Sequence, residues 1–235
     1  MRDTQTPRNH PGHKVLILGD DYRMVLPIVR SLGRRQIEVH LAWCPSGSPA
    51  CSSRYAARHH QLPWYSGEDD GWTASLNALA EREAFDLIIP ATEHAVYALQ
   101  SHREKLSNNA SFYLLDDAAF QTVINKPATY RLCEALKVPY PKTQAIHDMA
   151  AFDRVAAEFP RDIIVKPNCS VSGQQALGKA FVRRCQSRDE ARAYVKHLLQ
   201  RKIPVALQQH VAGEGVGVEL LARRGRILTA LQHRR

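Results

Sequence analysis

The stretch that most constrains the fold is a predicted strand, loop and strand between residues 163 and 185. Residues 163–165 form a β-branched run that favours an extended strand, and Pro167 ends it because proline has no backbone N–H. Residues 180–185 predict a second strand. The two runs therefore predict a hairpin that holds the ammonium of Lys166 on a rigid strand.

The loop of this hairpin is rich in residues that let a backbone approach an anion. Ser170, Ser172, Gly173 and Gly178 carry hydroxyls or no side chain at all, so neighbouring N–H groups can reach a phosphate. A fixed cation beside such a loop suits a nucleotide triphosphate. The alternative is an ordinary flexible hairpin with no ligand.

Residues 173–179 also match the G-x-x-x-x-G-K part of a P-loop. Ala180 stands where a P-loop has the Ser or Thr that binds magnesium, and the following residues read as a strand where a P-loop begins a helix. The sequence therefore argues against a P-loop.

Composition is that of a globular protein. With 235 residues, 44% hydrophobic and 23% charged, the chain has enough length for two domains or lobes. No apolar run is long enough to span a membrane, and residues 1–13 read as a polar, disordered tail without the apolar core of a signal peptide. The five cysteines are odd in number and lack C-x-x-C spacing, which indicates reduced thiols in a cytoplasmic protein and argues against a zinc site or disulfides.

The formal net charge of +9 suits anionic ligands. Basic residues are spread along the chain without interleaved aromatic side chains, so specific nucleic-acid binding is not expected. The scattered histidines are assigned structural or surface roles.

The first part of the chain predicts a parallel sheet. A strand at 14–19, a helix at 24–32 with Gly33 as its C-cap, and a strand at 37–42 form a βαβ unit. Residues 43–71 are predicted to be loop-rich. The Rossmann glycine fingerprint is absent, so no dinucleotide site is expected.

A buried strand at 86–90 is followed by Thr92, Glu93 and His94. These side chains either line a substrate crevice at the carboxyl end of the strand, or Thr92 simply caps a helix over residues 93–99. A short strand at 112–115 ends the first lobe.

Helix caps and strands continue to the end of the chain. Asp116, Asp148 and Ser187 are predicted N-caps, the last in a capping box with Glu190. A strand at 204–209 and a hairpin with its turn at 223–225 follow.

This order of elements resembles the ATP-grasp superfamily, of the carboxylate–amine ligase and carbamoyl-phosphate-synthase-like type. The resemblance rests on Ser53-Arg54-Tyr55, the run from Asn125-Lys126-Pro127 to Thr143, Val165-Lys166-Pro167, and residues 208–214. It implies an α/β protein with an N-terminal parallel-sheet lobe (14–115) followed by a partial α+β ATP-grasp domain (116–235). It also implies ATP as cofactor and small carboxylate and amine substrates.

The resemblance assigns roles to single residues. Lys126 and Lys166 are expected to hold phosphate oxygens, and the loop containing Ser170, Ser172 and Gly173 is expected to cover the triphosphate. The backbone of Gln208, Gln209 and Val211 is expected to form a hinge that contacts adenine. The residue two positions after the hinge glycine, often acidic in the family, is Gly215 here, so Glu214 is the candidate for the ribose hydroxyls.

The family's magnesium ligands, an acidic residue and a Glu-x-Asn-like pair, follow the strand hairpin in which this chain stops. No such pair follows Glu219, so no metal ligand is predicted although the family uses magnesium. Two functions stay open: an ATP-dependent carboxylate–amine or thiol ligase acting through an acylphosphate, or a truncated, inactive nucleotide-binding or interaction module. The last strand is expected to leave an apolar edge open to self-association.

Overall fold

A computed structural model describes residues 12–67, 71–108, 110–167 and 182–234 of the chain. The described residues fall into two compact units, the first reaching Leu132 and the second starting at Cys133. The division lies inside one helix, α5 (Lys126–Ala135).

A parallel five-stranded sheet in the order β3-β2-β1-β4-β5 forms the centre of the first unit. Its strands are β1 (Lys14–Leu18), β2 (Glu38–Ala42), β3 (Ala56–His60), β4 (Leu87–Pro90) and β5 (Ser111–Phe112). The helices are α1 (Tyr22–Gly33), α2 (Gly71–Glu83), α3 (Glu93–Ser101) and α4 (Asp117–Ile124), with a 3-10 turn at Arg103–Lys105. The predicted βαβ start is confirmed.

Apolar side chains on both faces of this sheet are buried, which explains the near-continuous apolar run of β1. Leu16 and Leu18 belong to one core cluster with side chains of α2 and α3. Val15 and Ile17 belong to a second cluster with α1. The strand order reverses between β1 and β4, and ligands of open α/β sheets bind at the carboxyl ends of strands at such a point.

Two local features of the first unit differ from the prediction. The segment 43–71, predicted to be loop-rich, also contains a strand, β3, that was not predicted. This strand lies at the edge of the sheet and exposes Ala57 and Arg58, so it lacks the apolar alternation that marks a half-buried strand. Gly33 is the last residue of α1 and not its cap, which is Arg34 in the right-handed helical region.

The second unit contains a four-stranded antiparallel sheet in the order β6-β9-β7-β8 and a separate hairpin, β10-β11. The strands are β6 (Thr143–Ile146), β7 (Ile163–Pro167), β8 (Arg183–Cys185), β9 (Val205–Gln209), β10 (Val216–Arg223) and β11 (Arg226–Arg234). The helices are α6 (Met149–Val155), a 3-10 turn at Ala156–Glu158, and α7 (Arg188–Gln200). The predicted pairing of the strands on either side of the small-residue loop is confirmed, because β7 and β8 are antiparallel neighbours.

Three of the predicted N-caps form as expected. Asp116 accepts a hydrogen bond from the N–H of Ala119 at 2.8 Å, and Asp148 accepts one from Ala151 at 2.6 Å. Ser187 accepts one from Glu190 at 3.1 Å. Among the helices that the structure describes, none combines the length and apolar character needed to cross a membrane.

Candidate functional site

Lys166 is largely buried on β7, an uncommon setting for an ammonium. Its exposed fraction is 8%, and lysine is seldom buried to that extent without partners. Its Nζ donates a 3.0 Å hydrogen bond to Oε1 of Gln208 on β9. Lys166 lies opposite Ala206 in the register, so Gln208 is its diagonal neighbour on the same face of the sheet.

The hydrogen bond to Lys166 is the first of a chain that crosses three strands. Nε2 of Gln208 donates to Oγ1 of Thr143 on β6 at 2.7 Å. The hydroxyl of Thr143 donates to the carbonyl oxygen of Pro141 at 2.7 Å. The hydroxyl of Thr143 uses its own hydrogen on Pro141, so its oxygen accepts from Nε2 of Gln208, and the amide of Gln208 presents Oε1 to Lys166. The chain positions the ammonium.

Sequence reasoning gave Gln208 only a backbone role and named Thr143 only as part of a motif, with no contact predicted for either side chain. The signal was a polar side chain on each of two strands at positions directly opposite one another, Thr143 and Gln208. It becomes visible only when the strand register is known, because the two residues lie far apart in the chain.

The backbone of the predicted hinge continues from the sheet. Gln208 lies opposite Ile164 on one side and Thr143 on the other, inside the sheet. The N–H of Gln209 donates to the carbonyl of Lys142 at 2.9 Å, where β9 ends. Val211 follows the strand and is 63% exposed.

Acidic side chains near the hinge are paired with basic ones. Glu214 forms an ion pair of 2.8 Å with Nη2 of Arg234 on β11, and both side chains are exposed. Asp162 receives a hydrogen bond of 2.9 Å from Nε of Arg184. That bond is the main reason the pKa of Asp162 is lowered, so Asp162 is ionised at neutral pH.

Lys126, the other predicted phosphate ligand, is the first residue of α5 and is half-buried. Oδ1 of Asn125 accepts the N–H of Ala128 at 3.3 Å, as a capping residue does. The hydroxyl of Thr129 donates to the carbonyl of Thr122 at 2.7 Å and ties α5 to the preceding helix. The predicted loop residues Ser170, Ser172 and Gly173 lie outside the described residues.

The carboxyl end of β4 carries a buried hydroxyl. Thr92 occupies the N-cap position of α3 with an extended backbone, but its side chain makes no capping hydrogen bond. Its Oγ1 is buried and has no hydrogen-bond partner among the described residues. Thr92 therefore occupies the predicted N-cap position but does not make the predicted capping hydrogen bond. A buried hydroxyl without a partner among the described residues lies beside the point where the strand order of the sheet reverses. The adjacent His94 stacks on Trp64, with ring centroids 5.3 Å apart.

Across residues 12–67, 71–108, 110–167 and 182–234, no group of three or more His, Cys, Asp or Glu side chains is arranged to hold a metal ion. No residue described here is therefore assigned to magnesium.

Comparisons with known proteins extend this description. No protein-family model matches the chain, and a comparison with curated proteins finds no match either. Solved structures do match. An L-amino acid ligase from Bacillus licheniformis is 16% identical with a TM-score of 0.66, and the alignment covers 94% of this chain and 50% of that one.

Two further structures match to a similar degree. An N5-carboxyaminoimidazole ribonucleotide synthetase in complex with ADP is 14% identical with a TM-score of 0.68, covering 97% of this chain and 54% of that one. A phosphoribosylamine–glycine ligase from Thermotoga maritima is 15% identical with a TM-score of 0.65, covering 93% and 48%. The chain thus spans about half the length of the structures that it matches. At this level of identity the likeness concerns the fold, and the fold of this chain is a partial ATP-grasp fold.

Proposed function

We propose that the chain binds the phosphates of ATP through Lys166. The observation that carries the proposal is a largely buried ammonium whose position is fixed by Gln208 and Thr143. A phosphate oxygen accepts charge-assisted hydrogen bonds from an ammonium, and an ammonium that is already held in place loses little freedom on binding it. The similar N5-carboxyaminoimidazole ribonucleotide synthetase structure was determined as an ADP complex.

The roles proposed for the other residues follow from the resemblance of the sequence to the ATP-grasp superfamily. Lys126, like Lys166, binds phosphate oxygens of ATP. The loop with Ser170, Ser172 and Gly173 covers the phosphates with backbone N–H groups. The backbone of Gln208, Gln209 and Val211 contacts the edge of the adenine ring. Glu214 breaks its ion pair with Arg234 and binds the ribose hydroxyls.

The reaction proposed is ATP-dependent ligation of a carboxylate to an amine or thiol. A carboxylate oxygen attacks the γ-phosphorus, the bond to the bridging oxygen breaks, and ADP leaves. The amine or thiol then attacks the acyl carbon of the acylphosphate, loses a proton, and releases inorganic phosphate. Fixed ammonium groups stabilise the charge on the transferring phosphoryl group.

The carboxylate is proposed to bind at the carboxyl ends of β1 and β4. The buried hydroxyl of Thr92 lies there without a partner among the described side chains. A substrate carboxylate would accept its hydrogen bond, and the switch point of an open α/β sheet is where such ligands bind.

The test replaces Lys166 by Met, which keeps the length of the side chain and removes the charge. ATP affinity measured by calorimetry should fall about 10- to 150-fold, because a charge-assisted hydrogen bond contributes about 1.5–3 kcal/mol. The matched control is Lys196→Met, which removes an exposed lysine from α7 in the same unit and should leave the affinity unchanged. Equal affinity in both folded variants would exclude Lys166 as a phosphate ligand.

Ligation is tested separately by phosphate release. Wild-type protein is incubated with ATP, magnesium and a panel of L-amino acids as probe carboxylates and amines. Release that depends on the amino acid supports a ligase. ATP binding without any release supports the alternative, a nucleotide-binding module.

A further inference from the structure

A buried chain of hydrogen bonds in the first unit is not used by the proposed function. His40 on β2 is fully buried. Its Nε2 lies 2.7 Å from Oε1 of Glu38, and its Nδ1 lies 2.8 Å from Nε2 of His60 at the end of β3. Both ring nitrogens of a core histidine are therefore engaged, one by a carboxylate and one by a second imidazole.

The chemistry of the three groups sets the direction of the protons. The pKa of Glu38 is lowered, chiefly by its hydrogen bond to His40, so the carboxylate is ionised and accepts the proton of His40 Nε2. With Nε2 of His40 as the donor to Glu38, Nδ1 of His40 accepts from the N–H of His60 Nε2. The second nitrogen of His60, Nδ1, is left as the basic end of the chain.

His60 also lines a cavity of about 460 Å³ between the end of β3 and α2. This volume is in the range of small-molecule sites. The polar side chains in its wall are His59, His60, Gln61, Ser75 and Arg82. All five can donate hydrogen bonds, and no carboxylate is among the residues lining the cavity.

The charge around the cavity is positive. The carboxylate of Glu83, 11% exposed, lies 3.7 Å from Lys14 Nζ, 3.8 Å from Arg58 and 3.4 Å from Arg82. One half-buried carboxylate thus faces three cations. Arg82 is the one of the three that lines the cavity, and its side chain is 64% exposed.

We propose that this cavity binds the phosphate group of a small molecule, with the Arg82 guanidinium and a His60 imidazole that takes up a proton as the ligand enters. A planar guanidinium matches two oxygens of a phosphate. A protonated His60 supplies the second positive charge that a dianion requires. The cavity is much larger than a phosphate, so the rest of the ligand also has room.

Proton uptake follows from the surroundings of His60. Its pKa is lowered, first by burial and then by His40, with Arg82 and Arg58 acting in the same direction and Glu83 against them. The charged and titratable groups that face it are Glu38 and His40 on β2, Arg58 and the adjacent His59 on β3, and Arg82 and Glu83 on α2. His60 is neutral at pH 7 in the empty cavity, and a bound dianion opposes the burial effect and raises its pKa.

The test uses sulfate, which stays a dianion throughout, so any pH dependence comes from the protein. Binding is followed by the imidazole resonances in two-dimensional NMR spectra of the full chain, with His60 assigned from His60→Gln. As the pH falls from 7.5 to 5.5, affinity should rise by at most about tenfold per pH unit, the limit for one proton. Acetate, a monoanion, should bind more weakly than sulfate at every pH.

Arg82→Gln should weaken sulfate binding at least about tenfold. The matched control is Arg58→Gln, because Arg58 is as exposed as Arg82 and also faces Glu83 but does not line the cavity. It should change the affinity less than twofold. If His60→Gln folds, its sulfate affinity should no longer depend on pH.

Three outcomes would overturn the proposal: sulfate affinity independent of pH in the wild-type protein, equal losses in the two arginine variants, or sulfate titration without a shift of the His60 resonance. The arginine variants alter exposed side chains, so they decide the question even if His60→Gln does not fold. The site also stands or falls independently of nucleotide binding, since no ATP is present.

Discussion

Gly33 packs closely against Tyr55, the last residue of the Ser-Arg-Tyr motif. A Cβ atom built on Gly33 would lie 2.6 Å from Cγ and Cδ1 of the tyrosine ring, nearer than non-bonded carbon atoms approach. Arg54 covers the same ring, with its guanidinium carbon 4.8 Å from the centroid, and donates to the tyrosine hydroxyl at 2.8 Å. The motif therefore joins α1 to the segment before β3.

We expect Gly33→Ala to lower the free energy of unfolding by about 1–3 kcal/mol, since overpacking forces neighbouring atoms to shift. Gly47→Ala is the control, because no atom lies within 4 Å of a Cβ placed there. It should be neutral or stabilise by up to about 1 kcal/mol, through the less flexible unfolded chain. Urea unfolding of both variants measures the difference, and equal stabilities would show that Tyr55 moves aside at little cost.

Cys51 is predicted to be an unreactive thiol. Burial and a hydrogen bond with Cys44 raise the pKa of Cys51 to about 11, and its thiol donates to the carbonyl of Pro45 at 3.5 Å. The thiolate is the reactive form, so at pH 8 only about one molecule in a thousand is ionised at this site.

Alkylation of Cys51 by iodoacetamide at pH 8 should therefore be roughly 100-fold slower in the native protein than in urea. The native rate should keep rising until the pH nears 11, as the thiol ionises. Peptide mass spectrometry after timed quenching gives the rate at this cysteine. A native rate that levels off below pH 9 would contradict the raised pKa.

Single-residue predictions from the sequence succeeded where the physical cause is local. Asp116, Asp148 and Ser187 cap helices because each needs only an N–H two or three residues away. The hydrogen bonds that link Lys166 to Gln208 and Thr143 depend on the register of the strands. The hydrogen bond between His40 and His60 depends on the pairing of β2 with an edge strand. No periodicity in the chain encodes those contacts.

At the scale of elements, four of the strands found from the sequence are apolar runs buried within a sheet. Strands β1, β4, β7 and β9 are apolar runs because neighbouring strands and core clusters enclose them. The edge strand β3, Ala-Ala-Arg-His-His, was missed because its side chains are mostly exposed or half-buried. Yet β3 supplies His60 and the wall of the basic cavity, so the element hardest to predict carries the site that the sequence did not indicate.

The hairpin β10-β11 is an element whose large apolar side chains face solvent. Val218 is 60% exposed, Leu220 56%, Ile227 57% and Leu231 63%. In the part of the chain that the structure describes, β10 and β11 pair only with each other, so each has an open edge. Isolated two-stranded hairpins are marginally stable in water, and open apolar edges pair with other strands.

At the scale of the whole molecule, this hairpin predicts self-association of the 235-residue chain. Strand pairing between two copies satisfies backbone groups at the open edges and buries the apolar side chains. Sedimentation velocity over a range of concentrations should show dimers or larger species.

The double variant Val218→Lys/Leu231→Lys places one charge on each face of the hairpin. Val218 lies opposite Gln232, and Leu231, the neighbour of Gln232 in the chain, points to the other face. It should weaken association at least about tenfold, because a charge buried in an apolar interface costs more than about 1.4 kcal/mol. Ala74→Lys, at an exposed position of α2, adds the same kind of charge elsewhere and should leave association unchanged. A wild-type chain that sediments as a monomer at every concentration would show that the hairpin is stable in solvent.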